Sequence, residues 1–198
     1  SHIIEVLDYD RFRLLGHTRD DAAGEAFDKV ARALGLPYPG GPELEKLALE
    51  GDPKKYPFHS ALNSSAEEAD FSFSGIKTAV VNLMHNAAQK GEALSKADIA
   101  ASFQRAVCDT LTLKAVHAAK EHGFNTLALA GGVSANRALR SSLARACEEQ
   151  GIRFCCPDFR YCTDNAAMIA CAGHYALMAG ELSGLDLNAA PELPLVQR

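Results

Sequence analysis

The sequence predicts an α/β domain, a mixed sheet flanked by helices, and three observations carry that prediction. Two short apolar runs near the start, 3–7 and 12–15, are separated by turn residues. Two further runs of strand length, 126–130 and 152–156, bracket a segment of helical period. Long stretches with apolar residues three and four apart fill much of the remainder. Strands alternating with helices favour parallel pairing, and an opening hairpin adds antiparallel pairing, hence a mixed sheet.

In chain order, Ile3–Leu7 is broken only by Glu5 and pairs with Phe12–Leu15 as a β-hairpin turned at Asp8-Tyr9-Asp10. Asp20 or Asp21 is the expected cap of a helix whose apolar set is Ala23, Phe27, Val30, Ala31 and Leu34. Gly35 ends it, and Pro37-Tyr38-Pro39-Gly40-Gly41-Pro42 makes a rigid turn before a short helix over about 43–49. The stretch 51–70 is polar, rich in turn residues, and reads as a long surface loop. Phe71–Phe73 is expected as a short strand, with Ser74 capping a helix through Ile76, Val80, Leu83 and Met84. Ser95 with Asp98 makes a capping box in which Asp replaces Glu or Gln, opening a long helix to about His122 that Gly123 ends. Thr126–Ala130 reads as a buried strand, Ser134–Gln150 as a helix and Ile152–Cys156 as another strand. An Ala-rich helix from Thr163 to about Ala179 stops at Gly180. The proline-bearing tail, 184–198, is expected to be ordered only by docking.

The length of 198 residues suits one large domain or two small ones. With 47% hydrophobic and 23% charged residues, the composition excludes a disordered tail, a collagen-like fibre and a disulfide-held miniprotein. A formal net charge of −5 argues against a general nucleic-acid coat, although a local basic face stays open. No apolar run approaches the roughly 20 residues of a membrane-spanning helix. The six cysteines lie in apolar patterns without a CxxC pair, which favours buried free thiols in a reducing compartment over disulfides or zinc. The chain starts at Ser1 with no leader-like segment, and is expected to be a piece of something longer.

Three places could carry chemistry. In Ala130-Gly131-Gly132-Val133-Ser134-Ala135-Asn136, a strand runs into two glycines and then a helix. Gly131 and Gly132 allow a ligand close to the backbone, the helix start offers N–H groups to an anion, and the Asn136 amide can donate and accept. A plain βα turn is the alternative. In Asp20 through Lys29, acids crowd two helical turns. Capping and ion pairing account for most of them, and Asp28 by itself reads as a solvated surface acid. Asp164 sits where a loop becomes an apolar helix, as an N-cap or as a ligand. The histidines include no HxxxH pair, so no complete metal site is visible. Arg137, Arg140 and Arg145 follow one helix, as a phosphate-facing stripe or a solvated face.

Five blocks together add a resemblance. They are Asp20-Asp21-Ala22-Ala23-Gly24-Glu25-Ala26-Phe27-Asp28-Lys29, Tyr38-Pro39-Gly40-Gly41-Pro42, Asp70-Phe71-Ser72-Phe73-Ser74-Gly75-Ile76-Lys77-Thr78, Ala130 to Asn136, and Cys162-Thr163-Asp164-Asn165-Ala166-Ala167-Met168. In this order they resemble the signature blocks of the bacterial tRNA N6-adenosine threonylcarbamoyltransferases, once described as O-sialoglycoprotein endopeptidases. The resemblance implies an actin/Hsp70/sugar-kinase-like lobe over 1–183, with a mostly helical insertion at 51–123 and a tail at 184–198. It implies that Asp28, Gly41 and Asn136 hold the adenylate part of threonylcarbamoyl-AMP, with Glu45 at the ribose and Gly131 and Gly132 beside the phosphate. Asp164 would be the carboxylate ligand of a catalytic iron or zinc.

The family's HxxxH pair and its substrate-contacting Gly-rich strand end have no counterpart in this sequence. The chain is therefore expected to be the C-terminal part of such an enzyme, most of the first lobe missing, and inactive alone. The implied reaction moves a threonylcarbamoyl group onto N6 of an adenosine beside the anticodon of tRNA. The implied partners are tRNA, a homologous subunit and a small ATPase, in the cytoplasm and away from membranes. Two rival readings are a non-catalytic nucleotide-binding scaffold and a metalloprotease; the latter would need an HExxH helix, which the sequence lacks.

Overall fold

A computed structural model describes residues 1–59 and 65–190. The chain opens with an antiparallel hairpin of β1 (His2–Val6) and β2 (Phe12–His17), with His2 opposite His17, Val6 opposite Phe12 and a one-residue register shift between Ile3 and Ile4. Helices α1 (Ala23–Ala33), α2 (Gly40–Ala48), α3 (Ser74–Lys90) and α4 (Lys96–Glu121) follow. A parallel pair, β3 (Thr126–Ala128) and β4 (Arg153–Cys155), encloses in sequence a 3₁₀ turn (Gly132–Ala135) and α5 (Arg137–Glu149). A second 3₁₀ turn (Phe159–Tyr161) leads to α6 (Ala166–Met178). The fold is α/β, as expected. Among the described residues, however, the strands form two separate two-stranded sheets, one antiparallel and one parallel, rather than one mixed sheet.

The 26-residue α4 organises the molecule because it contributes to both apolar clusters. Phe103 and Val107 join Phe27 and Val30 of α1, Leu44 of α2, Phe71, Phe73, and Ile76 and Val80 of α3. Farther along α4, Cys108 and Val116 join Leu139, Leu143 and Cys147 of α5 with Ile152. Phe27 meets Phe103 edge to face, the ring centroids 5.2 Å apart. Lys114 of α4 is fully buried and donates from Nζ to the carbonyls of Glu68 and Asp70. Burial lowers its pKa, and the carbonyl dipoles offset part of the cost of burying the charge.

Several helix ends are capped from a distance instead of locally. The N-cap of α1 is Ala22, without a side-chain bond, so neither Asp20 nor Asp21 caps it. Asp20 instead accepts from the Phe73 and Ser74 amides at the start of α3, and from the Ser72 hydroxyl. Burial pushes the Asp20 carboxyl up, but these three hydrogen bonds outweigh it and hold the pKa low. Asp21 bridges Lys29 and Lys77, tying α1 to α3. Ser74, expected as the cap, is the first helical residue, behind an N-cap of Phe73. Asp20→Ala should therefore cost about 1–2 kcal/mol, while Ser74→Ala stays within about 0.5 kcal/mol. Urea unfolding of both variants checks the contrast; the reverse order would return the cap to Ser74.

Ser95 does cap α4, accepting from the Asp98 amide, but Asp98 does not close the box. Its carboxylate accepts from the Asp52 amide, pinning the stretch after α2. With Ser102 donating to the Asp52 carbonyl and Phe58 buried, the described part of 51–70 packs on α4 instead of lying as a surface loop. Residues 60–64 of that expected loop lie outside the described residues. Phe71 makes only an isolated bridge to Thr18, so the expected strand at 71–73 is a buried crossing segment.

The parallel pair is shorter and more open than expected: β3 and β4 have three residues each, with Ala128 and Cys155 exposed. Cys108, Cys147 and Cys162 are buried free thiols, whereas Cys155, Cys156 and Cys171 are exposed. Helix α6 is apolar apart from His174 and the Tyr175 hydroxyl yet buries none of its residues, with Ile169 and Met178 among its exposed side chains. Tyr9 of the hairpin turn stacks on its Tyr175. The expected tail is exposed over 184–190, and 191–198 lies outside the described residues.

Candidate functional site

The site grows from a close approach of two helices. Gly40 begins α2 so near α1 that a Cβ there would fall 2.5 Å from the Ala31 methyl and 3.0 Å from the Asp28 Cα. This contact places the α2 start under the Asp28 carboxylate, whose Oδ1 accepts from the Gly40 amide at 2.8 Å and the Gly41 amide at 3.1 Å. The α2 N-cap, Pro39, offers no side-chain oxygen, so an acid from a neighbouring helix supplies the missing acceptor. Asp28 is thus no solvated surface acid but a tertiary cap, and the described bonds leave its Oδ2 uncommitted. Gly41, one residue on, has open space where a Cβ would stand.

One turn later on α2, the Glu45 Oε1 accepts from the Arg137 amide at 2.6 Å and joins α2 to the start of α5. Asn136 caps the same helix from within, its Oδ1 accepting from the Leu139 amide at 2.9 Å. The expected open helix start is therefore largely taken: two of the first N–H groups of α5 already have side-chain acceptors. What stays open lies earlier. Gly131 adopts φ 86° and ψ 175°, an extended conformation at positive φ that is essentially confined to glycine and costs an L side chain about 1–3 kcal/mol, and it turns β3 into the 3₁₀ segment. Around both Gly131 and Gly132 no atom lies within 4 Å of a built Cβ.

These pieces surround one cavity of about 600 Å³, lined by Asp28, Gly41, Glu45, Gly131, Gly132 and Asn136. Six residues singled out from three separate stretches of sequence thus meet at one place. Phe27 and Val133 add apolar wall, and Thr163 contributes at the rim. Two carboxylates, three bare glycines and an amide around an apolar wall can hold a neutral hydroxylated ring with an anion against Gly131 and Gly132.

Asp164 stands outside this cavity. It is exposed in an open depression formed with Asn165, Ala166, Met168, Ile169 and Ala170, and the N-cap of α6 is its neighbour Asn165, which accepts from the Met168 amide. Among the described residues no group of three His, Cys, Asp or Glu side chains could hold a metal ion. One exposed carboxylate does not fit an iron or zinc site, which needs three or four ligands.

The arginine stripe on α5 also divides. Arg140 is an internal clamp: its guanidinium donates to the Ser134 and Pro157 carbonyls and lies 4.1 Å from the Phe159 ring centre. Arg145 instead lines a wider depression of about 920 Å³ between α4, α5 and residues 53–59, whose charges are mixed.

Elsewhere, Asp70 accepts from the His17 backbone and ring and from Arg19. Burial raises its carboxyl pKa, but these donors prevail and hold it at about 2.

The sequence reading missed Gln104. It is buried on α4, and its Oε1 accepts from the Asn136 Nδ2 at 2.9 Å. The available signal was a polar residue in the i,i+4 stripe Ala100, Gln104, Cys108, where an apolar one fits the pattern.

The model of the family described as TsaD, tRNA N6-adenosine threonylcarbamoyltransferase, matches residues 1–171. A protein of that name from Caldicellulosiruptor saccharolyticus is 49% identical over 198 residues, 100% of this chain and 58% of the relative. Its namesake from Moorella thermoacetica is 51% identical over 195 residues, covering 98% and 57%. This chain therefore spans just under three fifths of the length of these relatives. Among solved structures, HypF of T. kodakarensis aligns with TM-score 0.60 and 22% identity, covering 82% of this chain and 21% of that one. A full-length HypF in its phosphate- and nucleotide-bound form aligns with TM-score 0.61 and the same identity and coverage. At that identity the likeness concerns the fold.

Proposed function

Because the chain belongs to the tRNA N6-adenosine threonylcarbamoyltransferase family, we propose that its cavity holds the adenylate part of threonylcarbamoyl-AMP during transfer to tRNA. The observation that carries this reading is the convergence of Asp28, Gly41, Glu45, Gly131, Gly132 and Asn136 on one cavity. In this reading residues 1–183 form a nucleotide-binding lobe. The backbone at Gly131 and Gly132 receives the phosphate, since no side chain keeps it away. Asp28, through its uncommitted Oδ2, and Glu45 accept from ribose hydroxyls, and Asn136 donates from its amide.

The transfer forms a bond from N6 of a tRNA adenosine to the carbamoyl carbon. It breaks the bond from that carbon to the phosphate oxygen, so AMP leaves with the electron pair and the amine proton passes to water. An exocyclic adenine amine is a weak nucleophile, so fixing the leaving AMP in one pose is the main contribution these residues make. The proposed setting is the cytoplasm, with tRNA, a homologous subunit and a small ATPase as partners.

Calorimetric titration of AMP tests the reading. Weak, saturable binding is expected, about tenfold weaker in Asn136→Ala, a difference of ~1.4 kcal/mol. The chain alone should form no threonylcarbamoyladenosine in digested tRNA. No AMP binding, or equal binding by both proteins, would move the nucleotide out of this cavity.

A further inference from the structure

Asn136 is held from behind by a residue that does not line the nucleotide cavity. Its side chain has four hydrogen-bonding places, two lone pairs on Oδ1 and two hydrogens on Nδ2. The Leu139 amide takes one lone pair, which fixes which end of the side chain is oxygen. The buried Cys108 thiol, 3.9 Å away, approaches the same oxygen. Burial pushes that thiol up to about 12, so it stays an S–H donor at any physiological pH. The Gln104 Oε1 takes one Nδ2 hydrogen at 2.9 Å. With these three partners in place, the amide has one hydrogen left and no strong acceptor position.

We infer that Gln104 is a positioning residue: by accepting from Asn136, it locks that side chain so that it presents a single N–H donor to the cavity. The ligand atom opposite Asn136 must then be an acceptor, such as an unprotonated ring nitrogen or a hydroxyl oxygen, and not a ring amino group. This rests on the nucleotide reading above and adds to it the sense of the hydrogen bond. It also links α4, the central helix, to the cavity, because Gln104 sits one residue after Phe103 in the main core. Gln104 lines a smaller depression with residues of α4 and α5 that Asn136 does not line.

Without the Gln104 acceptor, Asn136 keeps its cap but its amide hydrogens are no longer held against α4. AMP titrations on wild type, Gln104→Leu, Gln104→Glu, Asn136→Ala and the Leu/Ala double variant separate the possibilities, with melting curves run beside them. Gln104→Leu should weaken AMP binding roughly fivefold to tenfold, the size of one net hydrogen bond. Gln104→Glu keeps an acceptor in place and should restore affinity to within about twofold of wild type. The double variant should bind no more weakly than Asn136→Ala alone, since Gln104 acts only through Asn136.

If Asn136→Ala weakens binding while Gln104→Leu binds like wild type, the positioning role falls and the nucleotide reading stands. If the two losses multiply in the double variant, Gln104 acts independently and the inference is overturned. If wild type binds no AMP, both fall together. Should Gln104→Leu not fold, Gln104→Met keeps the chain length without the acceptor and carries the same comparison.

Discussion

Gly132→Val is expected to abolish AMP binding while leaving the fold intact. A Cβ at Gly132 meets no atom within 4 Å, and its φ is not in the left-handed range, so valine costs the folded state only about 0.5 kcal/mol. Its two methyls, however, enter the cavity that Gly132 lines, where the proposed phosphate must come against bare backbone. Loss of affinity by at least about tenfold follows, or ~1.4 kcal/mol. Gly131→Ala is the instructive counterpart. Its positive φ with extended ψ makes even a methyl cost about 1–3 kcal/mol, a fall of roughly 2–12 °C in Tm for a chain of this size. Melting curves and AMP titrations on both variants separate a conformational glycine from a steric one. Unchanged AMP affinity in Gly132→Val would place the nucleotide elsewhere.

The largest effect on stability is expected from Phe103→Ala, about 3–5 kcal/mol by urea unfolding. Phe103 is fully buried at the junction of α1, α3 and α4, and its edge-to-face partner Phe27 immediately precedes Asp28. The cavity left behind removes the surface against which α1 is seated. The Asp28 carboxylate would then lose its fixed approach to the Gly40 and Gly41 amides. Phe103→Leu should cost less than about 1.5 kcal/mol because it keeps most of the volume. A loss under about 1 kcal/mol for the alanine variant would mean that the helices do not lean on this ring.

Much of the architecture is readable from local patterns. The hairpin, the positions of the six described helices, and the strand–turn–helix–strand unit follow from apolar period, turn chemistry and terminal glycines, which act within a few residues. The ends of the elements are less legible. The expected helix 134–150 is a 3₁₀ turn and α5 with a break at Asn136, and the helix expected from 163 starts at 166. In both places an asparagine supplies the cap, and nothing in the periodicity distinguishes its position from the residues on either side.

The acids show most clearly where sequence reading stops. Asp20, Asp28 and Glu45 all accept from backbone amides of elements distant in sequence or from another helix. Their nearest helix start in sequence is the wrong one, because a carboxylate is captured by whichever unpaired amides the folded chain brings close. The same holds for Gln104, whose partner lies 32 residues away.

Of the six residues found together in the cavity, spacing alone singled out Gly131, Gly132 and Asn136, and the family resemblance added Asp28, Gly41 and Glu45; the sequence by itself determined the α/β class and the element order. Each rests on residue type and short-range spacing, which chain chemistry fixes before any packing. Only the tertiary structure decided what those residues do for one another. Asp28 caps α2, Glu45 occupies the start of α5, Asn136 is braced by Gln104, and Asp164 stands apart from the cavity. Those outcomes depend on the close approach of α1 to α2 and of α4 to α5. Such approaches are set by the summed packing of many side chains, and no single stretch of sequence encodes them.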